Sequence, residues 1–511
     1  MPMNETSTFI NHVGYKPRDV KKVFVAGGLA GAGDSFELCE VKSKAAVFTG
    51  TLQNALPGGV TDPAMGEPVF TGDFSAFTQS GEFFIRINGK ESFKFAVCES
   101  VYDSLYYSTL NYFKLSRCGQ GKCHTGIAEV YGTGEKKNVQ GGWHDAGDYG
   151  RYVVAGTKTI MDLLLAYDAA GSKFPDFDIL DEVRFELEWL LQLQRKDGAV
   201  YHKISCYHFC GFIKPEDEKD TLVLAPVSTA ATADFAGCLA YCSIYYKDSD
   251  PAFANTLVEA AKKAQSYLDS HTDEFYINPT EITTGGYGDR CVTDERYFAL
   301  CGLWAGTGQN EYLEKAIKTR TEGKARIPDP NNPWDKGWIE AFGWGLVSGY
   351  GTEILLNREK LIQDRAFVED LRSSIITQAE GILQTAENSA FSYDSKFIMW
   401  GSNGAVCDIA HILMIAYKLT GKKECFATAR AQIDYILGCN PVNYCFVTGA
   451  GTKSPVNPHH RPSGACGKVM PGMLAGGPSA GLQDECAKKN LKGVPGLKCY
   501  IDEMPSYSTN E

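Results

Sequence analysis

Hydrophobic and polar positions follow two different rhythms along the chain. From Thr8 to about Val97, apolar residues come in short alternating runs, KKVFVAG, SFELCEV, AAVFTG, EFFIRIN and ESFKFAV, each bounded by turn-forming residues. Alternation with a period of two sends successive side chains to opposite faces of a strand, so these runs predict a small antiparallel sandwich of roughly 100 residues. Near Cys98 the period changes. In SVYDSLYYSTLNYFKLSR, residues Tyr102, Leu105, Tyr106, Leu110 and Phe113 recur mostly at steps of three and four, the spacing of one helix face. The expected domains are therefore 1–98 and 99–511.

Helical patterns then follow one another: RYVVAGTKTIMDLLLAYDAAG, DILDEVRFELEWLLQLQ, TAATADFAGCLAYCSIYYK, PAFANTLVEAAKKAQSYLDSH, DERYFALCGLWAGTG, DRAFVEDLRSSIITQAEGILQTAEN, AVCDIAHILMIAYKLTG and CFATARAQIDYILG. Most close on Gly or Asn, or restart after Asp or Pro. Such an array of helical hairpins predicts a closed helical toroid or a solenoid, and the lack of a fixed repeat length argues against the solenoid. The loops would then carry the chemistry.

Composition narrows the partners. The chain of 511 residues is 44% hydrophobic, enough for at least one large core. A net charge of −12 repels nucleic-acid phosphates and anionic lipid head groups, so neither is an expected partner. The longest apolar stretches, such as LVLAPVSTAATADFAGCLAYC, are broken by polar residues and a proline, and none supplies the roughly 20 residues needed to cross a bilayer. A soluble monomer is expected. Residues 1–20 hold no apolar core of a secretory signal. Seventeen cysteines, an odd number without regular short spacing, imply mostly buried thiols and leave a cytoplasmic setting open beside a secreted one.

Four clusters carry chemistry. In GGWHDAGDYGRY, Asp145 and Asp148 stand in a turn of small residues just before an expected helix. Asp148 could simply cap that helix, but two carboxylates in an open turn repel each other, and one could hold a water while the other takes its proton. In NPHHRPS, His459, His460 and Arg461 could bind a metal, a phosphate or a hydroxyl-rich sugar. Cys118 and Cys123, followed by His124 and, nineteen residues on, by His144, are four soft or borderline ligands suited to a closed tetrahedral zinc, with buried thiols or a disulfide as the alternative. Such a zinc would clamp the Asp145 turn without being a Lewis acid. Finally, Trp143, Trp304, Trp334, Trp338, Trp344 and Trp400, with Tyr149, Tyr287, Tyr350 and Tyr507, lie partly in glycine-rich segments, where flat rings either stack on sugars or fill the core.

In their order, FINHVGYKP, GGWHDAGDYGRY, DGAVYHKI, PVSTAATADFAG, MWGSN, GCNPVNYCFVTGAG, NPHHRPS, AGGPS and YIDEMPSYSTNE resemble glycoside hydrolase family 9, the cellulase family, in the form that carries an N-terminal immunoglobulin-like domain. The resemblance covers nearly the whole chain. It implies a mainly α fold, an (α/α)6 barrel preceded by a small all-β immunoglobulin-like sandwich, and hydrolysis of β-1,4-glucosidic bonds with inversion. By motif position it implies Asp148 as the catalytic base, Asp145 as its partner in holding the water, and Glu511 as the general acid. It likewise implies His459, Arg461, Tyr507 and Trp400 as substrate-binding residues. The zinc set matches that branch of the family, and calcium is implied without identified ligands. Inversion requires the two carboxyl groups to stand about 6.5 to 9.5 Å apart, leaving space for a water.

Two departures stand out: family sequences continue beyond this glutamate, so a longer natural chain is expected, and Ser479 in AGGPS takes the place of the usual Asn. An endo-acting β-glucanase is the leading expectation. Alternatives are an exo-acting cellobiohydrolase, β-glucosidase or exo-β-glucosaminidase, a non-catalytic glycan-binding protein, and a zinc hydrolase.

Overall fold

The alternating runs of the first hundred residues form ten strands in two sheets. One contains, in spatial order, β1 (Thr8–Phe9), β3 (Lys22–Val25), β7 (Phe70–Asp73) and β6 (Gln53–Asn54). The other contains β2 (Gly14–Tyr15), β10 (Phe95–Val97), β8 (Gly81–Ile87), β4 (Ser35–Glu40) and β5 (Ala46–Thr51), with β9 (Lys90–Glu91) paired to β8. Their apolar sets meet in a core around Tyr15, Phe36, Phe74, Phe83 and Phe95. Gly50 and Gly72 make room for the Phe36 ring: a Cβ at either would lie 2.4 or 2.3 Å from a ring carbon. The computed structural model describes residues 7–119, 126–170, 177–330, 337–394 and 396–511.

Helices follow: α1 (Asp103–Ser116), α2 (Val153–Ala170), α3 (Ile179–Gln192), α4 (Thr229–Tyr246), α5 (Pro251–Ser270), α6 (Thr293–Thr307), α7 (Asn310–Ala325), α8 (Ser348–Leu356), α9 (Arg365–Glu387), α10 (Ser402–Thr420) and α11 (Lys423–Ile436), then the short α12 (Arg461–Cys466), α13 (Glu485–Leu491) and α14 (Tyr507–Asn510). The helical patterns of the sequence are all found. α7 and the nine-residue α8 are additions; the side α7 buries holds Tyr312, Ala316, Arg320 and Gly323, which do not read as an apolar stripe. A five-stranded sheet is also added, in the order β12 (Lys136–Val139), β11 (Gly126–Val130), β15 (Leu222–Leu224), β14 (Lys203–Cys206), β13 (Arg151–Tyr152).

The chain forms two compact units, Met1–Tyr112 with Ala379–Glu511, and Phe113–Gln378. In the first unit, Phe9, Phe24 and Met65 share a core with Phe391, Tyr435, Phe446 and Tyr500. Polar ties accompany the packing: Asn11 Nδ2 donates to Asp434 Oδ1 at 2.8 Å, and Ala390 N donates to Asp62 Oδ2 at 3.0 Å. In the second unit, α4 is buried on nearly every side, as a helix that is apolar all round must be. Its approach to α6 is close enough that a Cβ on Gly302 would fall 2.2 Å from Gly237 O. Among the described residues every cysteine is a free thiol, most of them buried, and no helix is long and apolar enough to cross a membrane.

Candidate active site

The second unit builds its site on the turn between Gly141 and Tyr152. Positive φ angles at Gly141 and Gly142, and at Ala146, where φ is 42°, fold the backbone tightly. Asp148 N donates to Asp145 O, and Asp145 N to Gly150 O, both at 3.0 Å. The strand leading in is pinned by α3: Trp143 N donates to Glu186 Oε2 and Trp143 Nε1 to Glu182 Oε1, each at 2.8 Å. Arg117 holds Glu182 through two bonds of 2.9 and 2.8 Å, the bidentate pairing that fixes a carboxylate most firmly.

The helix-cap reading of Asp148 is corrected here. Its carboxylate accepts from Gly150 N, and β13 intervenes before α2 begins at Val153. Asp148 is 7% exposed. Tyr152 Oη donates to its Oδ2 at 3.4 Å, and Tyr287 Oη donates to Asp145 Oδ2 at 2.5 Å. Burial, and then the charge of Asp148, push the Asp145 carboxyl up to about 7, against the stabilising bond from Tyr287. The charge of one carboxylate thus raises the proton affinity of the other.

Lys203 and His202 adjoin these tyrosines. Burial lowers the Lys203 ammonium to about 7, opposed by the charge of Asp148, and lowers His202 to about 3. Sequence reading quoted DGAVYHKI without giving either residue a task, and it placed Tyr287 only among the candidate aromatics. Their proximity to the acid turn arises from the β13–β14 pairing, for which no local signal exists.

The zinc expectation is half inside the described residues. Cys118 N donates to Gly142 O and His144 N to Ser116 O, both at 2.8 Å, on either side of the Arg117–Trp143 bridge. This register places Cys118 and His144, a soft and a borderline ligand, diagonally across one bridge. Cys123 and His124 lie outside the described residues, as does Trp334.

In the first unit the C-terminal segment is tied down residue by residue. Gly476 N donates to Glu511 O at 2.8 Å, Gly477 N to Thr509 O at 2.9 Å, and Tyr500 Oη to Asn510 Oδ1 at 2.6 Å. Asp484, which sequence reasoning missed, accepts from Ser506 Oγ, Ser508 N and Ser508 Oγ at 3.1, 2.9 and 2.5 Å. Trp400 Nε1 donates to Glu511 Oε2 at 3.1 Å, and its ring lies 5.1 Å from that of Tyr507. The His459 ring is 5.9 Å from Tyr507, and its Nδ1 faces Met504 O at 2.7 Å, so Nδ1 carries the proton. Arg461 opens α12 and is buried. Ser479 is buried and donates to Gln483 Oε1 at 2.8 Å. Of the other aromatics, Trp143, Trp304, Tyr149 and Tyr350 are buried, whereas Trp344 and Trp400 are 40% and 44% exposed.

A family model described as Glycosyl hydrolase family 9 matches residues 102–511, and one described as Cellulase N-terminal ig-like domain matches residues 4–92. A cellodextrinase of Butyrivibrio fibrisolvens is 34% identical over 96% of this chain and 97% of its own. Endoglucanase D of Acetivibrio thermocellus is 29% identical over 98% of this chain and 80% of its own. The solved structure of a single mutant of a thermostable endoglucanase from Alicyclobacillus acidocaldarius superposes with a TM-score of 0.89 at 30% identity, covering 99% of this chain and 96% of that one.

Proposed function

This chain belongs to glycosyl hydrolase family 9, with the family's (α/α)6 barrel and N-terminal immunoglobulin-like domain, and we propose that as a glycoside hydrolase it cuts β-1,4-glucans by single displacement, inverting the anomeric carbon. The observation that carries the mechanism is the pair of Asp145, half-buried, and Asp148, buried, each contacted by a tyrosine hydroxyl. Asp148 takes the proton of the attacking water while Asp145 holds that water in line. Glu511 gives its proton to the departing glycosidic oxygen, and Trp400, Tyr507, His459 and Arg461 hold the sugar. The chemistry demands opposite protonation of base and acid, so their surroundings must differ.

Products from a defined cello-oligosaccharide, followed by proton NMR during turnover, test this reading. The first-formed reducing end should be the α anomer; a β anomer would require a different mechanism. Endo action is the first expectation. Exo action on soluble cellodextrins is the second, favoured by the 34% identity to a protein named cellodextrinase, and the size distribution of early products separates them. A polymeric substrate accords with an extracellular, monomeric enzyme.

Two metals accompany the proposal. Cys118 and His144, with Cys123 and His124, would hold zinc as a clamp on the acid turn. For calcium, the carboxylates of Asp234 and Glu295 are fully buried on α4 and α6, and the oxygens of Asp234 have no hydrogen-bond partner. Burial, and then the charge of Asp294 beside each of them, push both carboxyls well above their ordinary range. Among the described residues no three His, Cys, Asp or Glu side chains gather as a metal cage, so a calcium here would draw further oxygens from the backbone. It would neutralise the buried charge and join the two helices.

A further inference from the structure

Lys203 is fully buried, yet its ammonium meets only neutral acceptors in its hydrogen bonds: Thr284 Oγ1 at 2.9 Å, Thr284 O at 3.3 Å and Gly285 O at 2.5 Å. Its neighbour His202 reaches the next carbonyl, Gly286 O, through Nε2 at 2.9 Å. A carbonyl only accepts, so Nε2 carries the proton and Nδ1 is the acceptor for the Ser228 hydroxyl at 2.8 Å. His202 is further fixed by stacking on Tyr276, with centroids 3.8 Å apart and planes 10° apart. Lys203, which opens β14, and His202 just before it thus grip three consecutive carbonyls of the segment 284–286.

The next residue is Tyr287. It holds a left-handed φ of 49°, a conformation that an aromatic residue adopts only where its surroundings impose it, and from there it donates to Asp145. Lys203 also pairs across the sheet with Tyr152, the residue that donates to Asp148, and its Nζ lies 5.4 Å from that ring. The Tyr152 and Tyr287 rings are 4.6 Å apart. Lys203 therefore adjoins the supports of both aspartates.

We propose that Lys203 is a positioning residue, the buried cation that holds the 284–286 carbonyls so that the Tyr287 hydroxyl stays on Asp145. This inference rests on the hydrolase reading above and adds to it a residue that acts through Tyr287. A buried cation on peptide oxygens suits the task, because one ammonium donates to several acceptors at once and fixes a turn that has no ladder of its own.

A double-mutant cycle on the full chain with a defined cello-oligosaccharide tests it. Lys203→Met and Tyr287→Phe should each lower kcat by roughly 10 to 100-fold with KM within about twofold, and the double variant should lose no more than the worse single one, since residues acting as a unit are non-additive. Lys203→Arg, which keeps donors, should recover part of kcat. If Lys203→Met does not fold, Thr284→Val, which removes one acceptor and conserves volume, enters the cycle in its place with a smaller loss. Losses that multiply in the double variant, or a folded Lys203→Met with parental kcat, would overturn the proposal. Asp148→Ala serves as the separate control: if it retains full turnover, the hydrolase mechanism itself fails, whereas an inactive Asp148→Ala beside a multiplicative cycle removes only the role of Lys203.

Discussion

Tyr287 Oη lies 2.5 Å from Asp145 Oδ2, so a hydroxyl drawn from 142 residues downstream supports one member of the carboxylate pair. Burial and the adjacent Asp148 raise the Asp145 carboxyl to about 7 in the folded chain, from an ordinary value near 3.8. The unfolded chain loses that proton first as pH rises. The fold is thus progressively weakened between about pH 4 and pH 7, a cost built into the site.

Asp145→Asn should relieve that cost. The amide keeps an oxygen for Tyr287 and removes the repulsion with Asp148, so the melting temperature at pH 7 should rise by a few degrees while turnover falls by about two orders of magnitude or more. Differential scanning calorimetry paired with reducing-sugar assays measures both. A variant that is less stable than the parent would contradict the electrostatic account.

Trp400 offers a second test, because its indole both donates to Glu511 and packs on Tyr507. Trp400→Phe keeps a ring and loses the donor. Turnover should drop by roughly tenfold with oligosaccharide affinity nearly retained, consistent with the loss of one hydrogen bond to a carboxylate. Steady-state kinetics and calorimetric binding separate this from a stacking role, in which affinity would fall and kcat would hold.

Acid should destabilise the chain through two neutral histidines. Burial lowers His202 to about 3 and His12 to about 4. Their folded values lie below the unfolded one, so below about pH 6.5 the unfolded chain takes up protons that the folded chain refuses. Stability present above pH 6.5 is then lost as pH falls toward 4, each group contributing at most about 1.4 kcal/mol per pH unit. Urea unfolding from pH 7 to pH 5 in the parent and in His12→Gln, whose amide can still donate to Asn443, separates this contribution from the opposite one of Asp145: over that range the variant should lose less stability, or gain more, than the parent. An unchanged slope in that variant would remove His12 from the account.

Chelation should separate structural from catalytic metal. Extended dialysis against a chelator is expected to lower the melting temperature, whereas turnover measured at once after its addition stays near the parental rate. Metal analysis of protein purified without chelator should find stoichiometric zinc. Immediate loss of turnover would favour a metal that takes part in the reaction.

Much of this was legible in the chain itself. Period-two and helical spacings depend on near neighbours, and the sandwich strands and long helices followed them. Among the long helices the exception was α7, whose buried side includes Arg320, held at 2.6 Å by Glu340; a buried ion pair looks polar in sequence. The motif GGWHDAGDYGRY likewise disclosed its two acids, and the family resemblance gave the terminal glutamate a role that its position alone could not.

What the sequence could not disclose were the partners. That Asp148 accepts from a turn amide instead of capping a helix depends on the two-residue strand that intervenes before α2. That Tyr287 reaches Asp145, and Lys203 the carbonyl of Gly285 82 residues away, depends on which strands pair and which loops they carry. Local propensity acts over a few residues and fixes the elements. Burial and hydrogen bonding act between elements, and only the packed chain decides which side chains share a desolvated site.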